Sequence, residues 1–472
     1  MYYNNIKLVT SISTITTNYV TPLSTDILTT ENPFTARVLR VFYGKFLSLF
    51  NDTFPTPLCR AKTISIPRGV KRAIERLPKN ILNRIDKNKD IAVEKCLIMV
   101  SNLTSTIFKE NDEGYKCLSS KILHKQLKKG NKNTYNYTHV LNALMYGAYP
   151  IIECKRNKKN RETYQSGVAS KQYKLTDKFH EKDLTTYKLK NPDSISKRKQ
   201  LILEKQKEAK KNPIGKNLLS VYGRITIPSN EEIIKHGKEL IKQGYKTKKG
   251  KQLSSLNKKP KKHYKDRENR SFIEDSIKKF KHLTSHGYMT PIIGDSKSGG
   301  RVFDSFNLMP SWIRELCLID GEKIVELDFT ALHPNIAISI YGGKIKYLTH
   351  QDVAKSLGKE IKEVKREHLA FFNKNPKHMK KSILFNYYKK NEPKMLNKIL
   401  QDKTRNGYKS TSRLLFKKEV DIMSEVIEKL NREDIYVLYV YDALYCKESD
   451  SDRVKEVMDK TRKDHGVFTC VK

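Results

Sequence analysis

The chain has 472 residues, enough for about two to four domains. It carries 93 Lys and Arg against 51 Asp and Glu, and the resulting net charge of +42 attracts polyanions, with nucleic acid the first candidate. Hydrophobic residues make up 38% of the chain, which excludes a mainly disordered protein. The alternative for the charge is a Lys-rich composition whose side chains are merely solvated.

Cysteine use and hydropathy indicate the compartment. The seven cysteines are scattered and contain no C-x-x-C pair, which argues against a disulfide framework or a zinc site and predicts a reducing environment. No segment reaches the ~18 continuous apolar residues of a membrane span, and residues 1–20 lack the basic start and apolar core of a secretory signal. We therefore expect a cytoplasmic, intracellular protein that does not enter a membrane.

Residues 1–113 are predicted to form a helical N-terminal region. The signal is weak over residues 1–60, whereas apolar residues recur at three- and four-residue spacing in residues 65–85 and 89–110.

Residues 114–178 are predicted to form a winged-helix-like DNA-binding module. Two helices precede a strand, a basic loop and a second strand, which is the layout of a winged helix-turn-helix. Tyr137, His139 and Asn142 on the second helix would then face a DNA groove. The alternative is a small α+β subdomain with a solvated loop. The candidate phosphate contacts on the wing are basic: Lys155, Arg156, Lys158, Lys159 and Arg161.

Residues 179–294 are predicted to form a basic linker or thumb-like region. Lys-rich runs interrupted by Pro and Gly dominate it, and their density favours a surface that tracks a nucleic-acid backbone. No internal repeat is evident.

The candidate chemistry lies in two strand-end aspartates. Residues 324–327 form a short apolar run that ends in Asp328 and leads into a helix, whereas residues 435–440 form a second apolar run that leads into a turn at Asp442. Two such carboxylates can meet on one sheet, and a pair that close would normally have one raised pKa unless divalent cations neutralise it. A pair of Mg²⁺ ions is the usual solution where phosphoryl groups move. The alternative is that each Asp only caps a turn or helix.

These segments resemble two motifs of family A DNA polymerases. The segment LDFTALH, residues 327–333, is similar to motif A, and VYD, residues 440–442, resembles motif C. Residues 299–329 are also similar to a group of phage and mobile-element proteins, so the resemblance covers about residues 295–465. It implies a polymerase-like palm and template-directed nucleotidyl transfer with two Mg²⁺ ions. The implied partners are a DNA template and primer and nucleoside triphosphates.

Three positions depart from the family pattern. His333 stands where motif A has a Glu that helps to exclude the ribose 2′-hydroxyl, and Asn335 replaces an Arg two residues later. After Asp442 the family carries a Glu, where this chain has Ala443. The choice between deoxyribose and ribose is therefore open.

The resemblance also implies cationic helical fingers between the two aspartates. One window, residues 359–373, places Lys365 on a helix. A second window, residues 377–390, sets Lys377 and Lys381 at four-residue spacing with Tyr388 following, which would align them on one helical face. Solvated lysines are the alternative for both windows. We expect nucleotide binding by His333, Lys365, Lys377, Lys381 and Tyr388, and backbone contacts by Arg301 and Arg314.

The sequence thus predicts an α+β protein with four parts: a helical N-terminal region (1–113), a winged-helix-like module (114–178), a basic linker (179–294) and a palm (295–472) with fingers at about 345–420. Asp328 and Asp442 are the predicted catalytic and metal-binding residues. The leading hypothesis is a Mg²⁺-dependent DNA polymerase of a phage, plasmid or mobile element. The alternatives are a DNA-binding replication initiator or regulator with a non-catalytic palm, and a nuclease that uses the same aspartates. The sequence does not indicate the oligomeric state.

Overall fold

The computed structural model describes residues 61–108, 114–128, 136–157, 160–162, 170–256, 266–284 and 290–472. The described fold mixes helix and sheet, with 56% helix, and belongs to the α+β class expected from the sequence. The N-terminal segment 1–60 and the wing residues Lys158 and Lys159 lie outside the described residues.

Among the described residues, the first body of the fold comprises five strands and six helices around one hydrophobic core that extends from Ile64 to Leu189. In chain order these are β1 (Thr63–Pro67), α1 (Val70–Glu75), α2 (Lys79–Ile85), α3 (Lys89–Ser101), β2 (Lys116–Cys117), α4 (Ser120–Leu127), α5 (Asn136–Leu144), β3 (Ile152–Cys154), β4 (Gln172–Leu175), α6 (Asp177–His180) and β5 (Leu184–Lys188), with a 3-10 turn at Thr104–Phe108.

Helix α3 is the centre of this body because apolar residues cover most of its circumference, and nearly every side chain from Ala92 to Val100 is buried. Its two buried charges have partners. Glu94 accepts hydrogen bonds from the backbone N–H groups of Lys190 and Asn191 at 2.7 and 3.1 Å, and Lys95 lies 3.1 Å from Asp86. The stretch Lys89–Phe108 is long and apolar enough to cross a membrane, yet it is 67% buried within the protein, as a core helix is.

The described residues of this body form two small antiparallel sheets, and β1 packs against α3. Strand β1 pairs with β5, and β2, β4 and β3 form a three-stranded sheet in that order. The expected boundary at residue 113 does not divide the core, because α1–α3 and residues 114–189 pack together. Helix α5 is amphipathic: Val140 and Leu144 are buried, while His139 and Asn142 are exposed.

In the described part of the chain, the second body contains the remaining strands and fourteen helices. They are α7 (Pro192–Ala209), α8 (Pro213–Val221), β6 (Ile225–Thr226), α9 (Asn230–Lys242), β7 (Gln252–Ser254), β8 (Arg270–Phe272), α10 (Ile273–Thr284), β9 (Ile292–Ile293), β10 (Val302–Phe303), α11 (Ser305–Leu308), α12 (Ser311–Arg314), β11 (Leu318–Ile319), β12 (Glu322–Asp328), α13 (Leu332–Tyr341), α14 (His350–Leu357), α15 (Ile361–Phe371), α16 (Pro376–Met379), α17 (Ile383–Asn391), α18 (Pro393–Asn406), α19 (Ser410–Arg432), β13 (Leu438–Val440), β14 (Ala443–Lys447) and α20 (Ser451–Asp464), with 3-10 turns at Ser296–Ser298 and Glu448–Asp450.

A five-stranded sheet in the order β13-β14-β12-β11-β6 organises this body, and all of its neighbouring strands are antiparallel. The 23-residue helix α19 packs against α8, α13, α18 and α20 and carries a long apolar face. The helices α14–α18 lie in sequence between the two strands that carry the candidate aspartates, where helical fingers were expected.

The start of this body differs from the expected boundary at residue 295. Its hydrophobic core begins at Ile214 and includes residues of α8, α9 and α10. The buried Asn217 of α8 donates to the carbonyl of Val437 at 2.6 Å and accepts from its N–H at 3.2 Å. Part of the region expected to be a basic linker is therefore packed against the same sheet as the aspartates.

Candidate active site

The sheet brings the two aspartates to one edge. Strand β12 ends at Asp328, which pairs with Ala443 at the start of β14, and Val440 of β13 pairs with the same Ala443. Tyr441 and Asp442 are thus the two residues of a tight hairpin turn beside the end of β12. The N–H of Phe329 donates to the carbonyl of Asp442 at 3.3 Å, which connects the two turns directly.

Both turns contain a non-glycine residue in the left-handed backbone region. Tyr441 has φ of +59°, and Ala331, which precedes helix α13, has φ of +51°. Such residues cost about 1–3 kcal/mol and persist only where the surroundings hold them, most often at functional sites. The Tyr441 ring packs edge-on against Phe303 at 5.9 Å between ring centroids.

The electrostatic surroundings raise the pKa of both carboxyls. For Asp328 the surrounding protein removes water from the carboxyl, and the negative charges of Asp442 and Glu326 raise its pKa further. For Asp442 burial is again the largest cause, followed by the charge of Glu419. Asp328 is nevertheless accessible to solvent, and Asp442 is half-buried. The two acids thus crowd one another at a site that a ligand can reach.

A buried network of charged side chains lies beside Asp442. The guanidinium of Arg301 donates to both carboxylate oxygens of Glu419, through Nε at 2.8 Å and Nη2 at 2.5 Å. Nε2 of His333 lies 2.7 Å from Oε2 of the same carboxylate. Glu419 is completely buried, and the side chain of Arg301 is only 17% exposed. Hydrogen bonds from Arg301 and His333 hold the pKa of Glu419 below its usual value despite that burial.

Arg301 connects this network to the turn that carries Asp442. Its guanidinium carbon lies 3.9 Å from the ring centroid of Phe416 and 4.8 Å from that of Tyr441, so the cation lies against two aromatic rings. The neighbouring His333 and Arg301 side chains lower the pKa of Asp442, opposing burial and Glu419. The arrangement therefore orients the 441–442 turn and also sets the local charge balance.

Glu419 is the site residue that the sequence analysis missed. It lies in the middle of α19, in a stretch rich in Lys and Glu, and its neighbours on the buried face are Leu415, Ile422 and Val426. A glutamate at the position of a buried apolar stripe is a usable signal, because a charge on such a face needs a partner. The partner itself, Arg301, is 118 residues away in sequence.

The structure separates the expected fingers residues. Lys365 lies exposed on α15, as its window predicted. Lys377 and Lys381 do not share a helical face, because α16 ends at Met379 and α17 begins at Ile383. The Ser382 cap of α17, whose side chain accepts a hydrogen bond from the N–H of Leu384, marks the start of a new helix between the two lysines.

Tyr388 is a core residue. It is fully buried and stacks on Phe371, with ring centroids 5.4 Å apart, and its hydroxyl lies 2.8 Å from Nε2 of His368. His368 in turn lies 3.1 Å, Nδ1 to Nδ1, from His350. This burial argues against the nucleotide-binding role that the sequence suggested for Tyr388, whose contacts instead hold α14, α15 and α17 together.

The two upstream arginines are also enclosed. Arg314 is 5% exposed, and its guanidinium carbon lies 5.7 and 5.3 Å from the ring centroids of Phe306 and Tyr445, so it is not available to a nucleic-acid backbone. Arg301 is held by Glu419 as described above. On the wing, Arg156 and Arg161 are exposed and Lys155 is half-buried.

The aspartate pair fits a hard divalent cation by the chemistry of its donors. Carboxylate oxygens are the ligands that Mg²⁺ prefers, and a nearby cation would favour the ionised form of carboxyls whose pKa values are raised by burial and by neighbouring negative charges. Within the described ranges, no group of three or more His, Cys, Asp or Glu side chains forms a complete protein cage for a metal. Mg²⁺ sites that act on phosphates usually have this open form, because water and substrate supply the other ligands.

Comparisons with known proteins give little further information. No protein-family model and no curated protein sequence matches the chain. Among solved structures, the chain is weakly similar to the POL domain of Pol1 from M. smegmatis in a complex with DNA primer-template and dNTP. The TM-score is 0.36 at 11% sequence identity, over 59% of this chain and 72% of that chain. A likeness at this level does not establish the fold.

Proposed function

We propose that the chain is a template-directed nucleotidyltransferase, a family A-like DNA polymerase of the kind carried by phages, plasmids or mobile elements. The observation that carries the proposal is the pairing of β12 with β14, which brings Asp328 and the Asp442 turn to one edge of the sheet. The net charge of +42 supports a polyanionic template and primer.

In this proposal Asp328 and Asp442 hold Mg²⁺. When bound, the cation neutralises phosphate charge and favours the ionised form of a primer 3′-hydroxyl. The protein's own contribution is positioning. The Arg301–Glu419–His333 network holds the turn of Asp442, and Phe329 connects that turn to the strand of Asp328.

One observation favours the alternative, a DNA-binding replication initiator with a non-catalytic palm. The second fingers window does not provide an aligned pair of cations with an aromatic side chain, because the helix breaks between Lys377 and Lys381 and Tyr388 is buried. Lys365 on α15 is the exposed candidate that keeps its expected helix.

The test is primer extension by the purified full-length chain with Mg²⁺ and a labelled primer on a DNA template, with deoxyribonucleotides and ribonucleotides in separate reactions. We expect extension that is lost in Asp328→Asn and in Asp442→Asn. Asp452→Asn is the matched control, because it makes the same charge change at an exposed position on α20 and should keep full activity.

Two outcomes would overturn the polymerase proposal. Shorter labelled strands would indicate a nuclease that uses the same aspartates. Intact DNA binding without incorporation on any primed or unprimed template would indicate the initiator.

A further inference from the structure

The loop between α5 and β3 presents two tyrosines to solvent. Tyr146 is 51% exposed and Tyr149 is 81% exposed, with only Gly147 and Ala148 between them. Single exposed aromatic residues are ordinary on protein surfaces. Two exposed tyrosines within four residues, next to the cation of Lys178, form a surface on which an aromatic ligand can pack.

The loop is held at its base by hydrogen bonds. The N–H of Ile151 donates to the carbonyl of Leu144 at 2.8 Å, and Thr176 Oγ1 donates to the carbonyl of Pro150 at 2.9 Å. Gly147 turns the chain with φ of +84°, a conformation that glycine adopts without strain. Because the base is fixed, the tyrosines lose less conformational entropy on binding than they would in a free loop.

A lysine accompanies the more exposed ring. Nζ of Lys178, on α6, lies 5.2 Å from the ring centroid of Tyr149, and its side chain is exposed. The same pairing recurs on the neighbouring sheet, where Lys155 and Lys174 lie 5.3 and 5.1 Å from the ring centroid of Tyr115. Aromatic rings interleaved with cations fit a ligand that combines flat rings with negative charge.

We propose that Tyr146, Tyr149 and Lys178 form a binding site for unpaired bases of single-stranded DNA. A tyrosine ring stacks on the face of a base, and Lys178 neutralises the adjoining phosphate. Single strands are favoured over duplex because base faces in a duplex are covered by their neighbours. The high positive charge of the chain favours this polyanion over an apolar protein partner.

The site is separate from the expected wing contacts. Strand β3 runs away from the 146–149 loop toward the hairpin tip, where Arg156 and Arg161 are exposed. The hairpin therefore has its tyrosines at its base and its arginines at its tip. This arrangement allows the tip to contact duplex while the base holds an adjoining single strand.

The test measures the fluorescence anisotropy of a labelled oligothymidine and of a labelled duplex of equal length, with the full-length chain and without Mg²⁺ or nucleotides. Tyr149→Ala should weaken single-strand binding by about 5- to 150-fold, since stacking contributes about 1–3 kcal/mol per base. Tyr149→Phe keeps the ring and should stay within about twofold of the unmodified chain. Lys178→Ala should reduce the slope of log K against log salt concentration for single-strand binding. The reduction should be about the amount that one phosphate contact contributes.

Tyr408→Ala is the matched control. Tyr408 is 49% exposed, and Lys409 Nζ lies 5.4 Å from its ring centroid, so it repeats the chemistry at a distant point of the sequence. We expect no change for this variant and none for duplex binding by Tyr149→Ala. Unchanged single-strand binding in Tyr149→Ala, an equal loss in Tyr149→Phe or in Tyr408→Ala, or an equal loss for duplex would each overturn the proposal. Because no catalysis is measured, failure of the polymerase proposal leaves this result unaffected.

Discussion

Replacing Glu419 with Gln tests whether the buried network holds the site together. Gln has almost the same shape and keeps one acceptor oxygen for Arg301, but it removes the only negative charge that the network contains. The Glu419 side chain is 0% exposed and that of Arg301 is 17% exposed, so the guanidinium would lose its counter-ion in a place with little access to water.

Removing one partner of a buried ion pair typically costs about 3–5 kcal/mol, because the remaining charge stays uncompensated. Since Gln retains one hydrogen bond, we expect the free energy of unfolding to fall by an amount near the lower end of this range, about 3 kcal/mol. The double variant Glu419→Gln with Arg301→Met removes both charges and should recover part of that loss. The pKa of Asp442 should also fall, because the negative charge of Glu419 is one of the causes that raise it.

Urea unfolding followed by circular dichroism at pH 7 measures the loss. Glu428→Gln is the matched control, an exposed glutamate on the same helix, and it should change the unfolding free energy by less than about 0.5 kcal/mol. If Glu419→Gln were as mild as that control, the carboxylate would not be the counter-ion of a buried guanidinium. The account of Arg301 as a residue that positions the Asp442 turn would then fail.

Two further predictions concern pH. The raised pKa of Asp328 means that the folded chain retains a proton that the unfolded chain releases above pH about 4, so stability contributed by the protonated form is lost as pH rises. In metal-free buffer, Asp328→Asn should therefore raise the urea midpoint of unfolding above that of the unmodified chain at pH 8 but not at pH 4. An equal rise at both pH values would contradict a raised pKa of Asp328. Burial lowers the pKa of His350 to about 4 and that of His368 to about 3, so the unfolded chain takes up protons first and stability is lost as pH falls below about 6.5. His350→Gln should make this loss shallower in urea titrations from pH 7 to pH 5, whereas an unchanged slope would show that His350 is not buried in its neutral form.

The local features of the site could be predicted from the sequence. The apolar run before Asp328 predicts a strand that ends in an acid, and β12 ends there. The apolar run at residues 435–440 predicts a second strand, and β13 covers its last three residues before the Tyr441–Asp442 turn. Strand runs and turn residues are short-range signals, so they remain visible without knowledge of tertiary contacts.

Other features depend on contacts between distant segments. The pairing of Arg301 with Glu419 and the bonds from Asn217 to Val437 join residues 118 and 220 positions apart, and no local pattern encodes them. The helix break before Ile383 was visible in principle, because Ser382 is a good cap. The four-residue spacing of Lys377 and Lys381 predicts a shared helical face, but spacing alone does not show where a helix ends.

The network changes the expected role of Arg301. As a free cation upstream of the palm, it was predicted to contact a nucleic-acid backbone. In the structure Arg301 donates through Nε and Nη2 to the two carboxylate oxygens of Glu419. The rings of Phe416 and Tyr441 lie against its guanidinium. A left-handed tyrosine in a two-residue turn is strained, and a turn under strain keeps one conformation only if its neighbours hold it. Arg301 contacts Tyr441 next to the aspartate, so its contribution to catalysis would be the placement of Asp442 rather than contact with DNA.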